Sequence, residues 1–245
     1  MENGAVIRCR LDLLIRLTDT TTGRAVSSLS VSFWKDGKQL ITRLKGDGNY
    51  IFIDIGRENF LMKLSVPGFD SQEFIVDYET LDKRMPSIDV FLIPSENNES
   101  ILTLSGKMRG LTAVEAVQLG NPACSINEFI PKEKRMTFIM PNRQMNMDGN
   151  RYGLLHGEKD YEQFVVKEQL NPLSVKLEQQ LNEEFAVGSP IARIIYGRVD
   201  SKGNYVLRVL DTAETLRFLV RFQTDGNVKY RVYRFEDGES IEEKT

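Results

Sequence analysis

Apolar and polar residues alternate along most of this chain with a period of two, the period of a strand whose side chains point to opposite faces of a sheet. From about residue 6 to 18, Cys9, Leu11, Leu13, Ile15 and Leu17 take one face, and Arg8, Arg10, Asp12, Leu14 and Arg16 the other. Asp19-Thr20-Thr21-Thr22-Gly23 follows as a turn, because Asp and Thr side chains bond nearby backbone and glycine closes the bend. Leu29, Val31 and Phe33 then alternate with Ser30, Ser32 and Trp34, and Asp36-Gly37 is a hairpin signal that returns the chain through 40–44. Gly46-Asp47-Gly48-Asn49 forms a corner feeding a strand, with Ile51, Ile53 and Ile55 on one side and Tyr50, Phe52 and Asp54 on the other. No helix start follows these glycines, so they shape a β-turn and not a phosphate cradle. Further strands are predicted over 60–66, closed by Pro67-Gly68, around Phe74, Val76 and Tyr78, and over 88–93. Short strands with turn signals about every 8–12 residues predict a β-sandwich over residues 1–95.

Residues 96–100 are polar and without period, and read as a linker to a second β-rich domain over 101–245. A short strand is predicted at 101–104 and a hairpin over 129–140 around Pro131-Lys132-Glu133-Lys134. Thr112-Ala113-Val114-Glu115 has capping-box spacing with Gly120 as a stop, and fits a strand equally well. Residues 141–152 read as a long polar loop. The stretch 161–170 fits helix or strand; 173–177 is read as strand from its β neighbours. Four strands, 191–199, 205–210, 216–222 and 228–235, precede an acidic tail. Gly203-Asn204-Tyr205-Val206-Leu207 echoes Gly48-Asn49-Tyr50-Ile51-Phe52, which two hairpins reaching the same turn chemistry explain more simply than duplication. The fold class is mainly β and antiparallel, with little helix.

Residues 10–94 resemble the carboxypeptidase regulatory-like domain, a small prealbumin (transthyretin)-like sandwich. The matching stretches are Asp19 to Val26, Gly46 to Ile53, Met62 to Phe69 and Val90 to Pro94. Where that family has a Gly-Tyr pair, this chain has Gly56-Arg57-Glu58-Asn59-Phe60. The resemblance implies an accessory or binding module, hence architecture rather than catalysis.

Charge narrows the options. A net charge of −3 and a pI of about 5.5 carry no nucleic-acid or membrane signature. The first residues lack a basic stretch followed by an apolar one, and no apolar run approaches the ~20 residues of a membrane span. The expectation is a protein without signal peptide or membrane span, made in the cytoplasm and able to join a particle. Cys9 and Cys124 lack metal-ligand spacing, and Cys9 shares parity with Leu11, Leu13 and Ile15, as a buried thiol would. With His156 the lone histidine, zinc of the usual kind is not expected. Asp19, Asp47 and Asp54 would make a calcium site only if their loops converged, and turn aspartates usually bond backbone amides. Neither a metal nor a cofactor is expected.

Candidate contact residues remain. Trp34 faces away from the predicted core beside Asp36-Gly37, where it suits a sugar, a protein interface or cover by the second domain. Arg217 and Arg221 share parity on one C-terminal strand, Lys229 and Arg231 on the next, and Arg208 joins them in a basic face. Such a face suits an acidic partner or solvent better than nucleic acid in an acidic chain. His156 would serve as a general base only with an orienting carboxylate, for which Glu158 and Asp160 are near in sequence. No G-x-S-x-G, P-loop or dinucleotide fingerprint occurs. The reading is a non-enzymatic structural or interaction protein, a β-sandwich building block of a larger assembly such as a phage-tail-like particle or surface appendage. Its partners are other protein chains or further copies of itself. The alternatives are a carbohydrate-binding module using Trp34 and, behind it, a hydrolase within 101–240.

Overall fold

The computed structural model describes residues 10–28, 30–96, 101–139, 147, 151–181, 185–211, 215–236 and 239–243. Cys9, Leu29, residues 97–100, most of the 141–152 loop and the Asp237-Gly238 stop lie outside them. The fold is mainly β, and the chain divides into two compact units, 1–99 and 100–245.

The first unit contains β1 (Leu11–Asp19), β2 (Ser32–Lys35), β3 (Lys38–Gln39), β4 (Arg43–Leu44), β5 (Asn49–Ile53), β6 (Phe60–Ser65), β7 (Gln72–Val76) and β8 (Ser87–Leu92). They form two four-stranded sheets, β4-β5-β1-β8 and β3-β2-β6-β7, with β8 parallel to β1. Alternation decides what each sheet contributes: Leu13, Ile15, Leu17, Tyr50 and Phe52 from one and Phe33, Met62, Leu64 and Val76 from the other enclose a single core. The glycine corner is tighter than a hairpin alone requires. Gly48 has φ +69, and a Cβ there would lie 2.5 Å from the Leu17 carbonyl oxygen. The Tyr50 hydroxyl accepts from the Ser28 amide at 2.9 Å and reaches the Val26 and Ser28 carbonyls, tying the 26–28 crossing to β5. Arg57, at the departure from the resembled family, donates to the carbonyls of Leu11 and Lys83 and so staples two loops to β1.

The second unit contains β9 (Ile101–Lys107), β10 (Leu111–Gln118), β11 (Cys124–Ile130), β12 (Arg135–Ile139), β13 (Arg151–His156), β14 (Asp160–Asn171), β15 (Ser174–Leu177), β16 (Pro190–Tyr196), β17 (Arg198–Val199), β18 (Asn204–Leu210), β19 (Thr215–Thr224), β20 (Asn227–Glu236) and β21 (Glu239–Glu242). Among the described residues the one helical element is a 3-10 turn at Pro131–Glu133. Both ambiguous stretches are strands, 112–115 within β10 and 161–170 within β14. Residues 191–199 are not one strand. The chain changes sheet at Gly197, where a Cβ would lie 2.5 Å from Val114 Cγ1 and 2.8 Å from the Val206 oxygen. The acidic tail also departs from expectation, because β21 pairs with β20.

Strands β11-β12-β15-β14-β13-β16 close into an antiparallel barrel through the β11–β16 pairing, packed inside with Ile126, Phe138, Leu154, Phe164, Val175 and Ile191. Closure leaves these strands no open edge along the barrel wall. β16 belongs to two structures: its first half pairs with β13 and its second with β10. Through β10 the barrel continues into β19-β20-β21, which shares a core with the separate β17-β18-β9 sheet.

The two units repeat one pairing scheme. Arg16↔Asn49, Ile15↔Tyr50, Leu14↔Ile51 and Leu13↔Phe52 correspond to Lys107↔Asn204, Gly106↔Tyr205, Ser105↔Val206 and Leu104↔Leu207. Leu44↔Tyr50 likewise matches Val199↔Tyr205. The close approach recurs too, since a Cβ on Gly203 would lie 2.2 Å from the Met108 oxygen. In the facing sheets β3-β2-β6-β7 corresponds to β16-β10-β19-β20. The anchor is Leu40 N to Phe33 O at 2.8 Å against Gly197 N to Val114 O at 2.9 Å. The Gly-Asn-Tyr echo is therefore part of a shared topology rather than a shared turn. The barrel strands β11 to β15 enter where the first unit has the Asp36-Gly37 turn.

Candidate functional site

Trp34 lies on β2, opposite Gln39 on β3 and Lys63 on β6, and is half-buried on the face away from the core. The same face carries Leu61 and Ile75, directly opposite one another on β6 and β7 and exposed at 46% and 70%. Lys63 and Glu73, the neighbouring pair, form an ion pair at 3.5 Å. The result is an aliphatic pair and a tryptophan beside the Lys63–Glu73 ion pair, with the Asp36 carboxylate accepting from the Leu61 amide.

The matching face of the second unit has a different fate. Trp34 and Lys63 correspond to Glu115 and Arg221, Leu61 and Ile75 to Leu219 and Val232. Leu219 and Val232 are each only 1% exposed, packed with Leu155, Tyr161, Ala192 and Ile194 of the barrel wall. Arg221 binds Glu115 at 2.9 Å inside this seam, and Gln163 donates to the same carboxylate oxygen. Tyr230 donates to the Tyr161 carbonyl and its ring meets Tyr161 edge-on. Burial at the seam pushes the Tyr161 hydroxyl well above its ordinary pKa.

The expected basic face is divided by strand register. The two-residue turn at Asp225-Gly226 pairs Thr224 with Asn227, so Arg217 faces Arg234 and Arg221 faces Tyr230 on one side. Lys229 and Arg231 pair with Phe222 and Val220 on the other. Arg217 is held by Glu158 and by Glu243, each at 2.7 Å, and Arg231 by Glu242 at 2.9 Å. Arg217 draws both of its carboxylates below the usual glutamate range, and they raise its own pKa. The tail carboxylates are thus the partners of these arginines. Lys229 is exposed, whereas Arg208 is buried on β18.

The β13–β14 hairpin places His156 opposite Asp160, with Nδ1 and Oδ1 2.5 Å apart and the ring stacked on Phe185. Glu158 turns instead to Arg217. Asp19 spends its carboxylate on the amides and hydroxyls of Thr21 and Thr22. Asp47 and Asp54 flank opposite ends of β5, roughly 20 Å apart at strand rise. These three do not converge, and no cluster suited to a metal ion occurs among the described residues. Cys124 lies in the barrel core, its thiol pushed by burial up to about 12.

Sequence reasoning reached Trp34 but not Leu61 and Ile75. Their signal was present: Phe60-Leu61-Met62 and Phe74-Ile75-Val76 are apolar at both parities, so one side chain in each must leave the core. Protein-family models give no match to the chain, and comparison with curated proteins finds none similar to it.

Proposed function

We propose that this chain is a non-enzymatic structural or interaction protein, a β-rich building block of a larger protein assembly. Its first unit is read as a prealbumin-like sandwich, and the face bearing Trp34 as its docking surface. The observation that carries the reading is the exposed Leu61 and Ile75 beside Trp34, on a sheet face whose counterpart is sealed by the barrel. Contiguous exposed aliphatic and aromatic side chains on a soluble fold mark contact surfaces. Phage-tail-like particles and surface appendages are assemblies of this kind by analogy of architecture. The test is the mass of the chain isolated at natural abundance from its native source. Co-isolation with other chains, lost when Leu61→Lys and Ile75→Glu are combined, supports the reading; a partnerless 28.0 kDa species contradicts it. Glycan binding abolished by Trp34→Ala would instead favour the carbohydrate-binding alternative.

A further inference from the structure

We propose that the outer edge of β20 docks an extended acidic segment of another protein chain as an added strand, and that β21 is the internal strand closing part of that edge. This rests on the interaction-protein reading and adds a second surface to it. The seated β21 shows what the edge accepts. Carboxylates grip it from both sides of the sheet: Glu243 binds Arg217 at 2.7 Å on one side. On the other, Glu242 binds Arg231 at 2.9 Å and accepts from the Tyr233 hydroxyl. The first unit supplies the contrast. By the same register it has Asn59, Phe74 and Asp77 in place of Arg217, Arg231 and Arg234, and its sheet ends at β7, the counterpart of β20. The cations and the added strand occur together.

β21 fills the edge incompletely. It pairs with 233–236, the last four of the ten residues of β20, and the Glu243 amide donates to the Val232 carbonyl. Backbone groups along a strand point alternately to its two neighbours, so the amides and carbonyls of Val228 and Tyr230 face the same way as that of Val232. Among the described residues no backbone group pairs with them there. Val228 is 39% exposed, and Lys229 beside it is exposed and meets no carboxylate among the described residues. An open edge of this kind invites strand addition, which main-chain hydrogen bonds drive and side chains make specific.

β21 is also dispensable to the fold. All four of its residues are exposed, none belongs to a core, and the first unit completes the same pairing pattern without it. A segment lying along 228–236 keeps the two-sided carboxylate grip and gains the Val228 and Tyr230 hydrogen bonds and the Lys229 charge. A second copy's β21 would only repeat contacts the chain already makes within itself, so the occupant is a longer segment of a different protein.

The probe is the fluorescein-labelled peptide Glu-Ser-Ile-Glu-Glu-Glu-Val-Glu, which copies 239–243 and continues with carboxylates toward Arg231 and Lys229. Its anisotropy is read against the full chain and against full-length Glu242→Lys combined with Glu243→Lys, whose tail the arginines repel. The tail-reversed chain should bind the peptide about tenfold more tightly, because its edge is no longer occupied from within. Bound peptide should slow amide exchange at Val228 and Tyr230, which a merely electrostatic contact leaves unchanged. Arg217→Glu combined with Arg231→Glu, in protein with native circular dichroism, should lose the binding, as should a peptide with Lys for each Glu. Equal affinity of the unaltered and tail-reversed chains, unprotected Val228 and Tyr230 amides, or binding that survives either charge reversal overturns the proposal. If it is overturned while the native-source chain still co-isolates with other proteins through Leu61 and Ile75, strand docking fails and the interaction-protein reading stands.

Discussion

Two glycines show how single residues let neighbouring strands of one sheet close together at a corner. Gly48 and Gly203 each combine a positive φ with a carbonyl oxygen where a side chain would begin, whereas Gly37 has φ +81 and open space around it. Asparagine tolerates that backbone region but brings a Cβ. Gly37→Asn should therefore change stability by less than about 1 kcal/mol, and Gly48→Asn or Gly203→Asn should cost about 1–3 kcal/mol, read by urea denaturation. Equal effects at the three positions would contradict the close approaches. The turn role of Gly48 was legible from its setting before a period-two strand. Its second role was not, because the opposing Leu17 oxygen belongs to a strand some thirty residues earlier in the chain.

Among the elements, β10 and β19 carry the Glu115–Arg221 pair, and Gln163 of the barrel donates to its carboxylate. Removing one member of a buried pair strands the other charge, so Glu115→Ala should cost about 3–5 kcal/mol. Glu115→Leu combined with Arg221→Met should cost less than either single change, measured as a double-mutant cycle. β21 is held differently, by Arg217 bridging Glu158 and Glu243. Their pKa values in the folded chain lie below the ordinary 4.5, so the stabilisation is complete above that value and is lost as pH falls below it through the lowered values. Amide exchange in β21, corrected for intrinsic rates, should accelerate as pH falls below 4.5 more than exchange in β19 does. Arg217→Met should abolish that difference. Period two found β1, β5 and β18 because one face of each is buried. It hid β10, where Val114 and Ala116 enter one core and Val117 another, so no polar face remains to show alternation. Parity within β19 and β20 was legible; the relation between them needed the Asp225-Gly226 turn counted as two residues, which would have separated Arg217 from Arg231.

At the scale of the whole molecule, one seven-stranded pairing pattern appears twice, and the copies differ in what covers the outer face of the β2 or β10 sheet. The barrel could not be read from sequence, because closure depends on Cys124 meeting Ile191 across a separation no local pattern spans. The insertion nevertheless explains the site. Where the barrel wall is present, Leu219 and Val232 are sealed; where Asp36-Gly37 makes a short turn instead, Leu61 and Ile75 are exposed and Trp34 is half-buried. Trp34 is the single tryptophan of the chain, so its fluorescence reports on this face alone. The decisive measurement is acrylamide quenching of that fluorescence in the isolated chain and in the assembly recovered from its native source. A shielded face predicts a several-fold lower quenching constant and a blue-shifted emission in the assembly. Equal quenching and an unchanged emission maximum in an assembly that contains the chain would contradict a docking role for this face.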